Sequence, residues 1–422
     1  MRMAAGVPLV LGLCASGLVF ALGAEHERPA PEAGTYAVPE ELADYSYVTG
    51  SVSSSPPGPA VALFQHGFGV EFMDFPQAVV LGAGGDSYRR VDVAEDRAGA
   101  ETQGDPAPML LSPDGRYVAV GDHDTAEPNV AVVDLTTGET STYDLPQGRS
   151  VIPVAFSADG TSLAALLSAE PTNPYRGERI TGDVGVLDLA DGSTEVIDVD
   201  GAGATAAFSS DGTEIGVERA SPRELSLIAL GDGGSERRLP LDGVLAGPTA
   251  WSPDGRLLAI TTVEPALAPP GADEPGVPTG LAFVDATTAG GDVPAPLILP
   301  LTAPGRVLGW DGTEAVLMLL AVEDDDAYTV SRVPIDGSEP TTLMQMDDMG
   351  SYGVGRFQMA AAAGDRLQVV DPSDVDRGPW PLLQRIAASV LAGLLVWVAA
   401  AVIMRIGRRV VRRVTAPRPR SA

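Results

Sequence analysis

The chain has 422 residues, 45% hydrophobic but only 5% aromatic, with 49 glycines and 36 prolines; this mixture suits many short strands joined by tight turns and argues against a helical protein. The formal net charge is −30 with no lysine anywhere, and residues 25–380 hold 18 arginines against all 57 acids, a charge of −39, which excludes nucleic acid as a partner of this segment. One cysteine, Cys14, and three histidines, His26, His66 and His123, exclude an internal disulfide and make a multi-histidine metal centre or histidine-based catalysis hard to build.

Residues 1–24 run from a positive start (Arg2) through an apolar stretch to small residues ending Ala21-Leu22-Gly23-Ala24. That is the layout of a signal peptide or, left uncut, of a signal anchor. Residues 25–44 read as a Pro-rich extracytoplasmic linker.

From residue 45 the chain repeats itself. Leu111-Ser112-Pro113-Asp114-Gly115-Arg116 recurs as Phe156-Ser157-Ala158-Asp159-Gly160-Thr161, as Phe208-Ser209-Ser210-Asp211-Gly212-Thr213 and as Trp251-Ser252-Pro253-Asp254-Gly255-Arg256, with a shortened copy at Trp310-Asp311-Gly312-Thr313. The aspartates stand 45, 52, 43 and 57 residues apart, the span of a four-stranded unit. In each copy an apolar residue ends one buried strand, Asp-Gly supplies a tight turn, and an apolar strand such as Tyr117-Val118-Ala119-Val120 follows. A second hairpin comes next, as in Val130 to Gly138 and Val184 to Gly192. Two hairpins per period make a four-stranded antiparallel sheet that cannot bury both faces alone, so the copies stack around an axis. Segments 77–91, 356–361 and 366–370 look like partial modules at the two ends. Joining strands from both ends removes exposed edges, and the expected architecture is an all-β propeller over residues 45–371, with seven blades slightly favoured over six.

The S-[P/A/S]-D-G-[R/T] turns and the Asp134-Leu135-Thr136-Thr137-Gly138 hairpin resemble those of exported bacterial WD40-like and TolB-like propellers. The resemblance implies a fold but no particular activity, because propellers host many unrelated functions. The Gly-His and Trp-Asp dipeptides of eukaryotic WD40 repeats are missing from their places.

Beyond the repeats, residues 372–385 form a juxtamembrane linker, and Ile386 to Met404 is a 19-residue run in which Ser389 is the one polar side chain. At 1.5 Å per residue it covers roughly 28 Å, about the hydrocarbon thickness of a bilayer. Trp380 precedes it at the interface, and seven arginines lie in the tail 405–422. By the positive-inside rule the C-terminus faces the cytoplasm, and the propeller stands on the extracytoplasmic side of the cell membrane.

No G-x-S-x-G elbow, nucleophilic cysteine or metal-ligand spacing is present, so no catalytic residue, metal ligand or cofactor is assigned. The long connections 66–76, 121–128, 168–182, 262–279 and 322–327 all open on one face of the disc, opposite the short Asp-Gly turns, and form the candidate binding surface. Its candidate residues are Phe68, Phe72 and Phe75, from a cluster that also contains Phe64, together with His123, Tyr175, Arg176, Arg179, Asp324 and Asp325. The expected function is a membrane-anchored scaffold for an envelope protein or an envelope polymer. The alternative is a propeller hydrolase or lyase with carboxylates at the central channel. An apolar channel favours the former, inward-pointing acids the latter.

Overall fold

The computed structural model describes the chain except for residues 1–5, 24–33, 35, 68–74, 176–178, 221–222, 232–234, 265–276, 288–290, 302–304, 323–326, 347–352, 372–373 and 415–422. In the first complete repeat, Ser112 Oγ donates to Asp114 Oδ1 (2.7 Å) and accepts from the Tyr117 N–H (2.8 Å), while Asp114 Oδ1 also accepts from the Arg116 N–H (3.0 Å). Ser157 with Asp159, Ser209 with Asp211 and Ser252 with Asp254 repeat this set. Gly115, Gly160, Gly212 and Gly255 each sit at φ 71–72°, the left-handed region that only glycine enters without strain. The serine therefore ties the two strand ends together through its hydroxyl, and the glycine turns the chain.

The strands so joined form six four-stranded antiparallel sheets among the described residues. Blade 2 pairs Met109–Leu111, Tyr117–Val120, Asn129–Asp134 and Thr140–Asp144 in sequence order, from hub to rim. Blades 3 to 6 repeat that order, starting from Ser150–Phe156, Gly203–Phe208, Val244–Leu245 and Val307–Asp311. Burial follows position in the blade: Met109–Leu111 is wholly buried, whereas Thr140–Asp144 on the rim is largely exposed, which accounts for its run of threonine, serine and aspartate.

Blade 1 closes the ring. Its outer strands Ala60–His66, Gln77–Gly82 and Tyr88–Arg90 come from the N-terminal side, and its innermost strand Val354–Met359 comes from the C-terminal side. The two partial modules seen in the sequence are thus one blade, and the count is six rather than the favoured seven. Leu367–Val370 adds no blade strand either; it pairs in parallel with Tyr36–Pro39 in a strap outside the six sheets. The propeller of four-stranded antiparallel sheets is as expected; the number differs because a strand from one end completes a sheet begun at the other.

Closure is reinforced by side chains. Gln358 Nε2 donates to Met109 O (2.9 Å) and its Oε1 accepts from the Leu111 N–H (3.0 Å), stitching the closing strand to the hub strand of blade 2. Phe357 stacks on the fully buried Phe64 with ring centroids 5.9 Å apart. Phe64 is therefore a core residue.

The chain divides into two compact units, the propeller with its strap and a second unit built mainly from the terminal helices. In the second, Leu382–Val410 is long and apolar enough to cross a membrane, and Val7–Leu22 is a shorter apolar helix. The two helices lie against each other, with a Cβ at Gly12 reaching 2.8 Å from Gly393 O. Ser16 Oγ donates to Ser389 O at 2.7 Å. Small residues let the backbones approach, as in membrane helix pairs.

Candidate functional site

At the Asp-Gly face each blade brings in a large apolar residue at or just after its hub strand: Leu111, Phe156, Phe208, Trp251, Trp310 and, in the closing strand, Met359. All six are buried, and they ring a cavity of about 300 Å³ on the central axis. This is the apolar position of every repeat copy, which the repeat itself explains as the end of a buried strand. Ring closure gives it a second role, because one such residue from each of six blades, brought to one axis, makes a lined mouth.

The indoles, the Thr249 hydroxyl and the Gln358 amide of this lining are already engaged. Trp251 Nε1 donates to Gly255 O and Trp310 Nε1 to Thr249 O, each at 3.0 Å, the Thr249 hydroxyl bonds Val307 O, and the Gln358 amide is used in closure. The indoles therefore offer only their apolar rings to the cavity. The lining contains no aspartate or glutamate. Its one charge is Arg306, which immediately precedes the hub strand of blade 6. The Arg306 side chain is crowded by surrounding protein yet retains solvent exposure, and desolvation, with a smaller contribution from Arg356, lowers its pKa. Among the described residues it makes no hydrogen bond or ion pair. Its stem packs on Gly247, where a Cβ would lie 3.2 Å from the arginine chain.

Arg356 is the second cation near the axis. It occupies a bulge in the closing strand with φ +52°, a conformation uncommon outside glycine, and its Nη1 donates to Pro106 O at 3.0 Å. Asp105, itself buried, lies 3.9 Å from Arg356 Nη2. Two cations thus stand near the axis of a protein whose middle segment is strongly acidic.

On the long-loop face the structure brings some of the sequence candidates together. Thr172 meets the 121–128 connection: His123 Nδ1 lies 2.8 Å from Thr172 Oγ1, which is in turn 2.7 Å from Ser150 Oγ. Burial, aided by repulsion from Arg356, drives the His123 pKa down to about 4, so the ring is neutral at physiological pH. The Tyr175 hydroxyl donates to the Asp105 carboxylate, which places Tyr175 in the same neighbourhood. Arg179 pairs with the fully buried Glu218, whose other oxygen accepts from the Leu245 N–H at 2.8 Å; this arginine ties blades together. Phe75 stands apart from these and is 58% exposed, edge-on to Tyr47 at 6.0 Å. Phe68, Phe72, Arg176, Asp324 and Asp325 lie outside the described residues. No group of three or more His, Cys, Asp or Glu among the described residues is arranged to hold a metal.

No family model and no curated protein matches the sequence. Among solved structures, TolB from Acinetobacter baumannii is 16% identical with a TM-score of 0.46, covering 71% of this chain and 66% of its own. The chain thus spans just under two thirds of that protein. A candidate TolB of Agrobacterium tumefaciens is 16% identical with a TM-score of 0.39, over 61% of this chain and 87% of its own. The Swd1 β-propeller domain of Myceliophteria thermophila is 13% identical with a TM-score of 0.37, over 57% and 72%. The structural neighbours are TolB-like and WD40 propellers. The propeller expected from the Ser-x-Asp-Gly turns is the fold that the six sheets form.

Proposed function

We propose that this chain is a membrane-anchored binding module whose propeller stands outside the cytoplasmic membrane and receives a partner of the envelope at the channel mouth on the Asp-Gly face. One observation carries the reading: the channel mouth is an apolar ring with no carboxylate in its lining. A hydrolase or lyase acting there needs converging acids; a docking surface needs an apolar centre with few placed polar groups. The described long-loop candidates His123, Tyr175 and Arg179 spend their polar atoms on internal partners, which is why the turn face is preferred over them. Phe75 and Tyr47, both exposed, supply a smaller contact on the other face.

The anchor in this reading is the C-terminal helix, with its arginine tail on the cytoplasmic side. The N-terminal helix is retained as its companion, a role supported by the Gly12–Gly393 approach and by the bond from the Trp380 N–H to Gly23 O at 3.0 Å. Intact mass of the membrane-extracted chain checks retention, the full sequence being 43.4 kDa. Loss of residues 1–24 overturns it.

Binding is tested by photo-crosslinking in intact cells from position 158, which lies at the mouth, and from position 139, which lies on the rim. A single stoichiometric adduct from 158 and none from 139 is expected. No adduct from either, together with turnover of a glycan or lactone panel, reverses the choice in favour of the enzyme.

A further inference from the structure

We infer that the channel receives the C-terminal end of a partner polypeptide, its last apolar side chains among Phe156, Phe208, Trp251 and Trp310 and its terminal carboxylate on Arg306. The inference rests on the reading of the channel mouth as the binding site and adds the chemistry of what enters it.

Three observations lead there. The cavity is largely apolar and its indole, Thr249 and Gln358 groups are satisfied internally, so most of what it gains from a ligand is apolar contact. Among the described residues of the lining, the one charge is the guanidinium of Arg306, which makes no ion pair. A guanidinium in such surroundings recognises a carboxylate by a paired, charge-assisted hydrogen bond, and Arg356 nearby adds to the positive field. The shape then selects the source. From the exposed turn residue Ala158 inward to Thr249 and Arg306, the mouth runs several residues along the hub strands, roughly 10 Å at 3.3 Å per residue. Five hub strands and the segment 248–253 of blade 5 wall it around the axis, so a chain enters end-on and not side-on. The C-terminus is the end of a polypeptide that carries a carboxylate beside an apolar side chain.

The test uses the full chain in lipid nanodiscs and a fluorescein-labelled peptide, Gly-Ser-Gly-Ala-Leu-Phe, as the free acid and as the C-terminal carboxamide, read by anisotropy. The acid is expected to bind about ten-fold or more tightly than the amide, the ratio expected from one charge-assisted bond. Arg306→Gln removes the preference while leaving weak binding of both peptides, and Arg306→Lys restores part of it. Ala158→Arg, at an exposed position, blocks both. Equal affinity for acid and amide, or a preference that survives Arg306→Gln, overturns the inference. So does binding that Ala158→Arg leaves intact. If 3-phenylpropionate binds the channel and the peptide acid does not, the site takes a small free acid and the polypeptide end is wrong. If no peptide binds while the crosslinked adduct at position 158 persists, the carboxylate proposal falls and the binding reading stands. If the adduct is also missing, both fall.

Discussion

At the scale of single residues, what distinguishes otherwise equivalent repeat positions is what the ring places beside them. Gly115 and Gly212 have the same φ of 71°, and an alanine at either pays for the left-handed backbone, about 1–2 kcal/mol. At Gly212 nothing lies within 4 Å of an added Cβ, whereas at Gly115 the Ala60 carbonyl oxygen lies 1.9 Å away. Gly115→Ala is therefore expected to lower the urea midpoint much further than Gly212→Ala, and equal shifts would refute the closeness of blade 1 to this turn. His123 sets a pH dependence. Its folded pKa is about 4 against about 6.5 in an unfolded chain, so between those values the unfolded state takes up a proton that the folded state refuses. Stability from this residue is complete above pH 6.5 and falls as pH drops towards 4. Denaturant curves at pH 7.0 and 4.5 should show the wild type losing about 2 kcal/mol more than His123→Gln; a matching loss in both would show that His123 is not the buried neutral ring.

At the scale of elements, segments with little secondary structure of their own are held by strong local pairs. The Asp376 segment lies beside the outermost strand of blade 1, where Arg89 Nη2 meets Asp376 Oδ2 at 2.9 Å with side chains 5% and 2% exposed. Arg89 also donates to Ser55 O (2.9 Å) and Tyr88 O (2.8 Å), so its buried charge is well satisfied. Removing one partner leaves the other charge buried, and Arg89→Ala is expected to cost about 3–5 kcal/mol. Replacing both residues should cost less than the sum of the single changes, as a double-mutant cycle will measure. Additive losses would mean that the pair does not act as a unit.

At the scale of the whole molecule, the ring depends on one strand returning from far along the chain. Val354–Met359 pairs with Ala60–His66, and without it the edge of Ala60–His66 is open to other chains. Residues 36–376 alone should elute as a monodisperse species in size exclusion, and residues 36–346 should aggregate. A monodisperse 36–346 would show that the closing strand is dispensable. The Arg306 and Ala158 variants described above belong to this scale as well, because the channel exists only when all six hub strands converge.

Fold class, blade composition and the long apolar C-terminal helix were legible in the residues because each depends on groups close together in the chain. A Ser-x-Asp-Gly turn is completed within six residues by its own side chains, strand burial shows as an apolar run, and a bilayer span is a matter of length. Six rather than seven blades, the closing strand, the internal use of His123, Tyr175 and Arg179, and the placing of Arg306 on the axis were decided in three dimensions. These depend on how much angle each packed sheet contributes to a full circle and on which side chains from remote strands face the same point, and neither quantity is carried by any local spacing.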